Sequence, residues 1–370
     1  MPDIKRTILL FSLEPWGDMW YSKQHYAWEL AKEHNVFFIS PPDGWRLRDL
    51  FKNELKVEQV NPGLSTVRYS NMLPLRVLPK TLAQWVQQRT ATRLSRLLAH
   101  GSNVLWCFYP EALALQKSLH APGTQLLYHV VDPYQTFPED VPMAKAADLI
   151  VAVNPWFELH YKQWNPHTIL VPHGVRAEDR EHDPQAAAAF RQRWAPYVIL
   201  AGGLNEHVNY SLLSALADAL PQVKLVLAGQ RTTVATREQA AFWARSNVVH
   251  AGIAAPGQLR DMIAGAFAGL VAYRFGPNTG KPGRTPLKAV SYLAQSKPVV
   301  STIDCHIPEL DGISIFRAHD QEEFIDTVKG MLNGTIPIQP GPGQRYLDSV
   351  SYTQLTRRIL GAMVNERTDR

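Results

Sequence analysis

The chain has 370 residues, 45% hydrophobic and 19% charged, with a formal net charge of +5. At roughly 100–200 residues per domain that is two domains with a sizeable core, which excludes a disordered chain. Two cysteines, Cys107 and Cys305, exclude a disulfide framework and a thiolate zinc site, and no run of about 18 apolar residues offers a membrane span.

The opening, Met1–Arg6, lacks a signal-peptide pattern, so the expected compartment is the cytoplasm. Thr7–Leu13 (TILLFSL) then reads as a buried strand, and Gln24–His34 sets Tyr26, Ala27, Leu30 and Ala31 at helical spacing. Val36–Ser40 is a second strand, ended by Pro41-Pro42. Further strands are predicted at Asn103–Tyr109, Gln125–Val131, Leu149–Val153 and Thr168–Val171. Helices intervene at about Lys80–His100, Glu111–Leu119 and Trp156–Gln163. This alternation predicts an α/β fold, a parallel sheet with helices on both faces. Residues 174–196 break the rhythm, being polar and charged around one alanine run, and read as a link between domains.

The alternation resumes with strands at Tyr197–Ala201, Val223–Ala228, Asn247–Ala251, Gly269–Phe275, Lys297–Thr302 and Ser314–Arg317. Helices are predicted at Tyr210–Leu220, Pro256–Ala266, Pro286–Ala294 and Gln321–Leu332. A Pro/Gly-rich passage, Gly334–Gly343, precedes a last helix at about Tyr352–Val364. The pattern gives two Rossmann-like doubly wound domains, residues 1–175 and 197–350, with the link at 176–196. In such sheets ligands bind beyond the carboxyl ends of the strands, so the informative residues should follow strands directly.

The strongest local signal is Arg284-Thr285-Pro286-Leu287-Lys288, opening a helix that runs into Lys297-Pro298-Val299-Val300. Thr285 is suited to cap that helix and Pro286 to its first position. A helix N-terminus offers free amides and partial positive charge to a phosphate. Lys288 in the first turn opposes the helix dipole, which makes sense with an anion between them; Arg274, Lys281 and Arg284 add positive charge. The plainer alternative is an ordinary capped helix after a solvated loop.

This segment resembles the "SPLKLxEYLAxGKPVV" stretch of bacterial two-domain glycosyltransferases of the GT-B fold, near glycosyltransferase family four. Tyr197–Gly229 is similar to that family's domain opening. Asn247–Thr302, Asp148–Asn154 and Val171-Pro172-His173-Gly174-Val175 resemble further pieces in the same order. The resemblance implies two domains facing across a cleft, with a nucleotide-diphosphate sugar held in the second. That donor is a co-substrate, and no other cofactor is implied. Its diphosphate would lie against Gly202, Gly203 and the amides of Thr285 and Leu287, near Arg284. Arg274 and Lys288 would neutralise the leaving group without a metal. The family's ribose-binding glutamate is replaced here by Ser291, and its usual basic residue after the first strand is absent from Leu204-Asn205-Glu206-His207. The C-terminal helix, 351–370, would return to the first domain.

The acceptor would then lie against the first domain. In the loop Glu14-Pro15-Trp16-Gly17-Asp18-Met19-Trp20-Tyr21, the rings Trp16, Trp20 and Tyr21 suit stacking on sugars, and Glu14 and Asp18 suit hydroxyl hydrogen bonds. A buried aromatic loop is the alternative, and His25 reads as structural. His129 and Asp132 interrupt an apolar strand, and Asp132 is the first choice for a catalytic carboxylate beside Arg274 and Lys288. His173 ends the last strand before the link.

Between Gln59 and Pro110 there is no acidic residue, while Arg68, Arg76, Lys80, Arg89, Arg93 and Arg96 are basic. Leu82, Trp85, Val86, Leu94, Leu97 and Leu98 give the helix within this stretch an apolar face, so it could rest on an anionic membrane or pack on the core with a solvated basic side. Nothing points to nucleic acid as a partner. The expected activity is hexose transfer from a nucleotide sugar to a glycan or lipid-linked acceptor in cell-surface or exopolysaccharide synthesis, in the cytoplasm or at the inner face of the cell membrane. The other class considered is a non-catalytic glycan-binding or partner subunit, motivated by Ser291. A dehydrogenase is disfavoured, because neither half has G-x-G-x-x-G after its first strand.

Overall fold

A computed structural model describes residues 5–17, 20–44, 55–98, 101–119, 123–231, 237–274 and 286–365. The chain divides into two compact units, Met1–Pro172 with Tyr352–Arg370, and His173–Ser351.

The first unit runs β1 (Thr7–Phe11), α1 (Ser22–Leu30), β2 (Asn35–Ile39), β3 (Leu55–Asn61), β4 (Leu64–Tyr69), α2 (Lys80–Leu94), β5 (Asn103–Cys107), α3 (Leu113–Leu119), β6 (Thr124–Val130), α4 (Asp140–Ala146), β7 (Leu149–Ala152), α5 (Pro155–Lys162) and β8 (Thr168–Leu170). Its sheet has the order β3-β4-β2-β1-β5-β6-β7-β8, parallel except where β3 pairs antiparallel with β4. Interior strands covered on both faces are continuously apolar, as TILLF in β1 shows, with every residue buried. The β3–β4 hairpin is an addition to the expected elements. Its turn is Pro62-Gly63, with Gly63 at φ +82, and its outer strand is largely exposed. On one sheet face Leu9, Phe11, Leu105, Tyr128, Ile150 and Phe157 form the core.

Two polar contacts fix the helices. The hydroxyls of Tyr128 and Tyr161 both donate to Asp140 Oδ1, each at 2.7 Å, tying α4 to β6 and α5. Helix α2 ends at Leu94, short of the expected His100. Arg93 does not join a solvated basic side: it is buried beside Tyr69, whose phenol burial pushes up to about 12.

The second unit runs α6 (Pro184–Trp194), β9 (Tyr197–Ala201), α7 (Tyr210–Ala219), β10 (Lys224–Ala228), α8 (Arg237–Trp243), β11 (Val248–Gly252), α9 (Pro256–Gly265), β12 (Ala268–Val271), α10 (Leu287–Ala294), β13 (Val299–Ser301), β14 (Ile315–Arg317), α11 (Gln321–Leu332) and α12 (Pro340–Ser349). Its sheet is parallel, in the order β11-β10-β9-β12-β13-β14. Much of the segment read as a polar link is the helix α6, which packs on α9. Asp183 caps it by accepting from the amides of Gln185 and Ala186, and Pro184 occupies its first turn. Helix α12 likewise begins inside the Pro/Gly-rich passage, on Pro340.

The last helix, α13 (Tyr352–Asn365), belongs to the first unit and packs on α1. Thr353 Oγ1 donates to Glu29 Oε1 at 2.6 Å, and Gln125 Nε2 donates to the Met363 carbonyl at 2.9 Å. In each sheet the first strand of the unit, β1 or β9, lies where the strand order reverses, and its carboxyl end is therefore the place to look for a ligand.

Candidate functional site

In the second unit the chain leaves β9 at Gly202, with φ +112, and leaves β10 at Gly229, with φ +153. The two glycine backbones meet: a methyl on Gly229 would lie 1.9 Å from the Gly202 carbonyl oxygen. Only a residue without a Cβ at position 229 allows this approach, and the positive φ at Gly202 also suits glycine. Gly202 N donates to the Ala228 carbonyl at 2.9 Å, and Gly229 N to the Gly252 carbonyl at 2.7 Å.

Lys288, in the first turn of α10, reaches into this gap. Its Nζ lies 3.5 Å from where a Gly202 Cβ would stand, and 4.8 Å from the centroid of the Tyr273 ring. No carboxylate pairs with it among the described residues. Tyr273 itself is held at the end of β12 by Thr302, whose Oγ1 accepts from Tyr273 N at 2.9 Å and lies 2.9 Å from the Tyr273 carbonyl. Arg274 N donates to the His207 carbonyl at 3.0 Å, which pins the loop after β9 against the same strand end.

What aims Lys288 is Tyr292, one turn along the helix. Its ring is fully buried over Gly269 of β12. Its hydroxyl accepts from Ala201 N at 2.8 Å and donates to the Leu270 carbonyl at 3.1 Å, and burial pushes its pKa up. Helix α10 is thereby tied to the ends of β9 and β12. Glycine backbone, an ammonium with no carboxylate partner among the described residues and a helix N-terminus meet at one strand end, an arrangement chemically suited to a phosphorylated anion.

The structure brings Gly202, Lys288 and Tyr273 together and places Gly203, Arg274 and Leu287 next to them in the chain. The helix begins at Leu287, with Pro286 rather than Thr285 at the cap position. Thr285 and Arg284 lie outside the described residues. Ser291 turns back on its helix, its Oγ 3.4 Å from the Leu287 carbonyl. Tyr273, Tyr292, Gly229 and Thr302 carry much of the architecture and were given no role from sequence. Gly229, directly after a strand as Gly202 is, was the one with a visible signal.

In the first unit, Glu14 follows β1 and pairs with the almost wholly buried Lys23 at 2.7 Å. Trp16 meets Trp20 and Phe38 edge-on, with ring centroids 5.2 and 5.1 Å apart. Asp132 follows β6 and lies near Tyr134, whose phenol is driven up by burial and then by the charges of Asp132, Glu14 and Glu111. Glu14 and Asp132 thus face one tyrosine at the ends of β1 and β6. His129, expected on the acceptor side, is enclosed in the core. It accepts from Trp106 Nε1 at 3.2 Å and stacks on Phe108 at 4.6 Å. One ring nitrogen of this polar residue in an apolar strand, Nδ1, is satisfied there by an indole. Asp18 lies outside the described residues. His173 is buried in the second unit.

No protein-family model and no curated protein matches the chain. Solved structures do match, and they are two-domain glycosyltransferases of the GT-B fold, which is the fold of this chain. Anabaena HepE in complex with UDP and glucose superposes with a TM-score of 0.70 at 14% identity, over 97% of this chain and 99% of that one. A UDP-forming α,α-trehalose-phosphate synthase from Burkholderia vietnamiensis gives 0.70 at 11% identity, over 98% and 100%. The lipopolysaccharide outer core galactosyltransferase WaaB gives 0.63 at 13% identity, over 98% and 100%.

Proposed function

We propose that the protein is a glycosyltransferase that takes a hexose from a nucleotide-diphosphate sugar. The observation that carries this reading is the Lys288 ammonium beside Gly202 at the start of α10, with no carboxylate partner among the described residues. The diphosphate lies along Gly202, Gly203 and the amide of Leu287, with Lys288 and Arg274 as its cations. In the transfer, the bond from C1 to the phosphate oxygen breaks, and a bond from C1 to an acceptor hydroxyl oxygen forms. The diphosphate leaves with the bonding pair, and the hydroxyl proton passes to Asp132 if the transfer inverts C1, or to the departing phosphate if it retains it. Charge building on the diphosphate is balanced by the two side-chain cations, so no metal is required.

The acceptor is a glycan or lipid-linked sugar of a cell-surface or exopolysaccharide pathway, with Glu14 and Trp16 at its binding side. Peripheral membrane contact falls to α2 and the residues before it. There Val77 is 76% exposed, and Leu82 and Trp85 about 40%, beside Lys80 and Arg89. No helix among the described residues is long and apolar enough to cross a membrane.

Calorimetry with UDP tests the site. A charge-assisted bond contributes about 1.5–3 kcal/mol, so Lys288→Ala and Arg274→Ala should each weaken binding about 10- to 100-fold. Unchanged affinity in both would misplace the site. Ser291, turned back on its own helix, favours a second reading: a subunit that binds the nucleotide sugar without transferring from it. Binding of UDP-sugars without turnover across a donor and acceptor panel would establish it.

A further inference from the structure

The first unit contains a cavity of about 490 Å³ that shares Trp16 with the proposed acceptor side but whose carboxylates, Asp43 and Glu58, the proposed transfer does not use. It lies where the chain leaves β1 and β2, against the β3–β4 hairpin, and Trp16, Pro41, Pro42, Asp43, Glu58 and Arg68 line it. Its size falls in the range of small-molecule sites, roughly 300–1,000 Å³. Trp16 presents a fixed ring, because Trp20 and Phe38 hold it edge-on from behind. The two prolines add rigid apolar surface.

The charges decide the ligand class. Arg68 is engaged bidentately by Asp43, at 3.0 and 3.2 Å, so its cation is already balanced. Glu58 stands opposite Thr66 across the hairpin and has no ion-pair partner among the described residues. The lining therefore carries a net negative charge and offers carboxylate hydrogen-bond acceptors. That disfavours phosphates and uronates and suits a neutral, hydroxyl-rich molecule with one apolar face.

We propose that this cavity is a saccharide-binding subsite, with one neutral sugar ring stacked on Trp16 and its hydroxyls donating to Glu58 and Asp43. That the sugar is part of the transferase acceptor rests on the function proposed above; the subsite itself does not. It would make the acceptor an oligosaccharide, gripped at a sugar other than the one that reacts.

The test is ligand-observed NMR on the full chain. The probes are methyl glycosides of glucose, galactose, mannose and N-acetylglucosamine, with maltose, cellobiose and lactose, each up to about 50 mM, a range that captures weak single-site affinities. At least one should bind, and both Trp16→Ala and Glu58→Ala should weaken it about tenfold or more. Glu58 is exposed on an edge strand, so its variant separates loss of binding from loss of fold. Glucuronate should bind more weakly than methyl glucoside. Binding by none of the probes overturns the proposal, as does binding that survives both substitutions or prefers glucuronate. UDP calorimetry on the same samples keeps the two readings apart. UDP bound with no saccharide sinks the subsite alone, and saccharide bound without UDP sinks the transferase reading alone.

Discussion

Substituting Gly269 by alanine tests the packing that aims Lys288. The added methyl would lie 2.2 Å from Cγ and Cδ2 of Tyr292, against an ordinary carbon contact of about 3.5–4.0 Å. The ring must retreat by more than an ångström or the strand must bend. Overpacking of this kind costs about 1–3 kcal/mol. If the ring retreats, the hydroxyl loses Ala201 N and the Leu270 carbonyl, now 2.8 and 3.1 Å away. An unsatisfied buried amide costs about 1–3 kcal/mol more. Because strain and lost bonds are alternative ways of relieving one clash, the expected loss is about 3 kcal/mol rather than their full sum. UDP affinity should fall with it, since α10 moves. Urea midpoints are compared within one transition, because two units need not unfold together. The decisive measurement is a double-mutant cycle. In a Tyr292→Ala background the methyl meets no ring, so Gly269→Ala should cost almost nothing, whereas in Tyr292→Phe, where the ring can retreat without breaking a hydroxyl bond, it should cost less than in the parent but more than in Tyr292→Ala. Equal cost in all three backgrounds would refute the contact.

Gly229→Ala should be at least as damaging, because its methyl meets the Gly202 carbonyl at 1.9 Å and φ is +153; a UDP affinity within twofold of the parent would contradict the close approach. Removing one phenol from the Asp140 pair, by Tyr128→Phe or Tyr161→Phe, should lower stability by about 1–3 kcal/mol, and removing both by more than the sum, since the buried carboxylate then keeps no donor. Burial holds the His306 imidazole below its ordinary pKa; the Asp304 carboxylate opposes this and Arg317 adds to it. Between that lowered value and about 6.5 the unfolded chain binds more protons, so stability should fall as pH drops through this window. His306→Asn, which tolerates the observed φ of +55, should flatten the fall, and an unchanged pH slope would count against the assignment.

The strands of both sheets were legible because parallel strands buried on two faces are plain apolar runs: TILLF, YVILA and KLVLA need no context. The β3–β4 hairpin was not, since Lys56, Glu58 and Gln59 make its outer strand as polar as a loop. Helix α6 hid for another reason. Its alanines bury little, and beyond the local Asp183 cap its stability comes from α9, a partner far off in sequence. The anion site divides in the same way. Gly202 and Lys288 are readable from local rules, a glycine after a strand and a cation in a first helical turn. Tyr292 and Gly269 act only as a pair across 23 residues, and nothing local marks either. His129 misled because an imidazole in an apolar strand looks uncompensated until Trp106 is placed beside it.

A lysine in the first turn of a helix is unfavourable by about 0.3–1 kcal/mol. Lys288 has no carboxylate among the described residues to offset this, but it lies over the Tyr273 ring, and such a contact contributes about 0.5–1 kcal/mol. The two effects nearly cancel, so Lys288→Met should change the stability of the nucleotide-free protein by no more than about 0.5 kcal/mol. With UDP the outcome differs. At a concentration 100 times the dissociation constant, ligand stabilises the parent by about 2.7 kcal/mol. If the substitution weakens binding 10- to 100-fold, the same UDP stabilises the variant by only about 1.4 to 0.4 kcal/mol. Paired urea titrations with and without UDP measure both quantities. A variant destabilised by several kcal/mol without nucleotide would make Lys288 a packing residue. One that keeps the full UDP increment would remove it from the site. Only a neutral substitution that loses the increment fits a cation held in place for a ligand's charge.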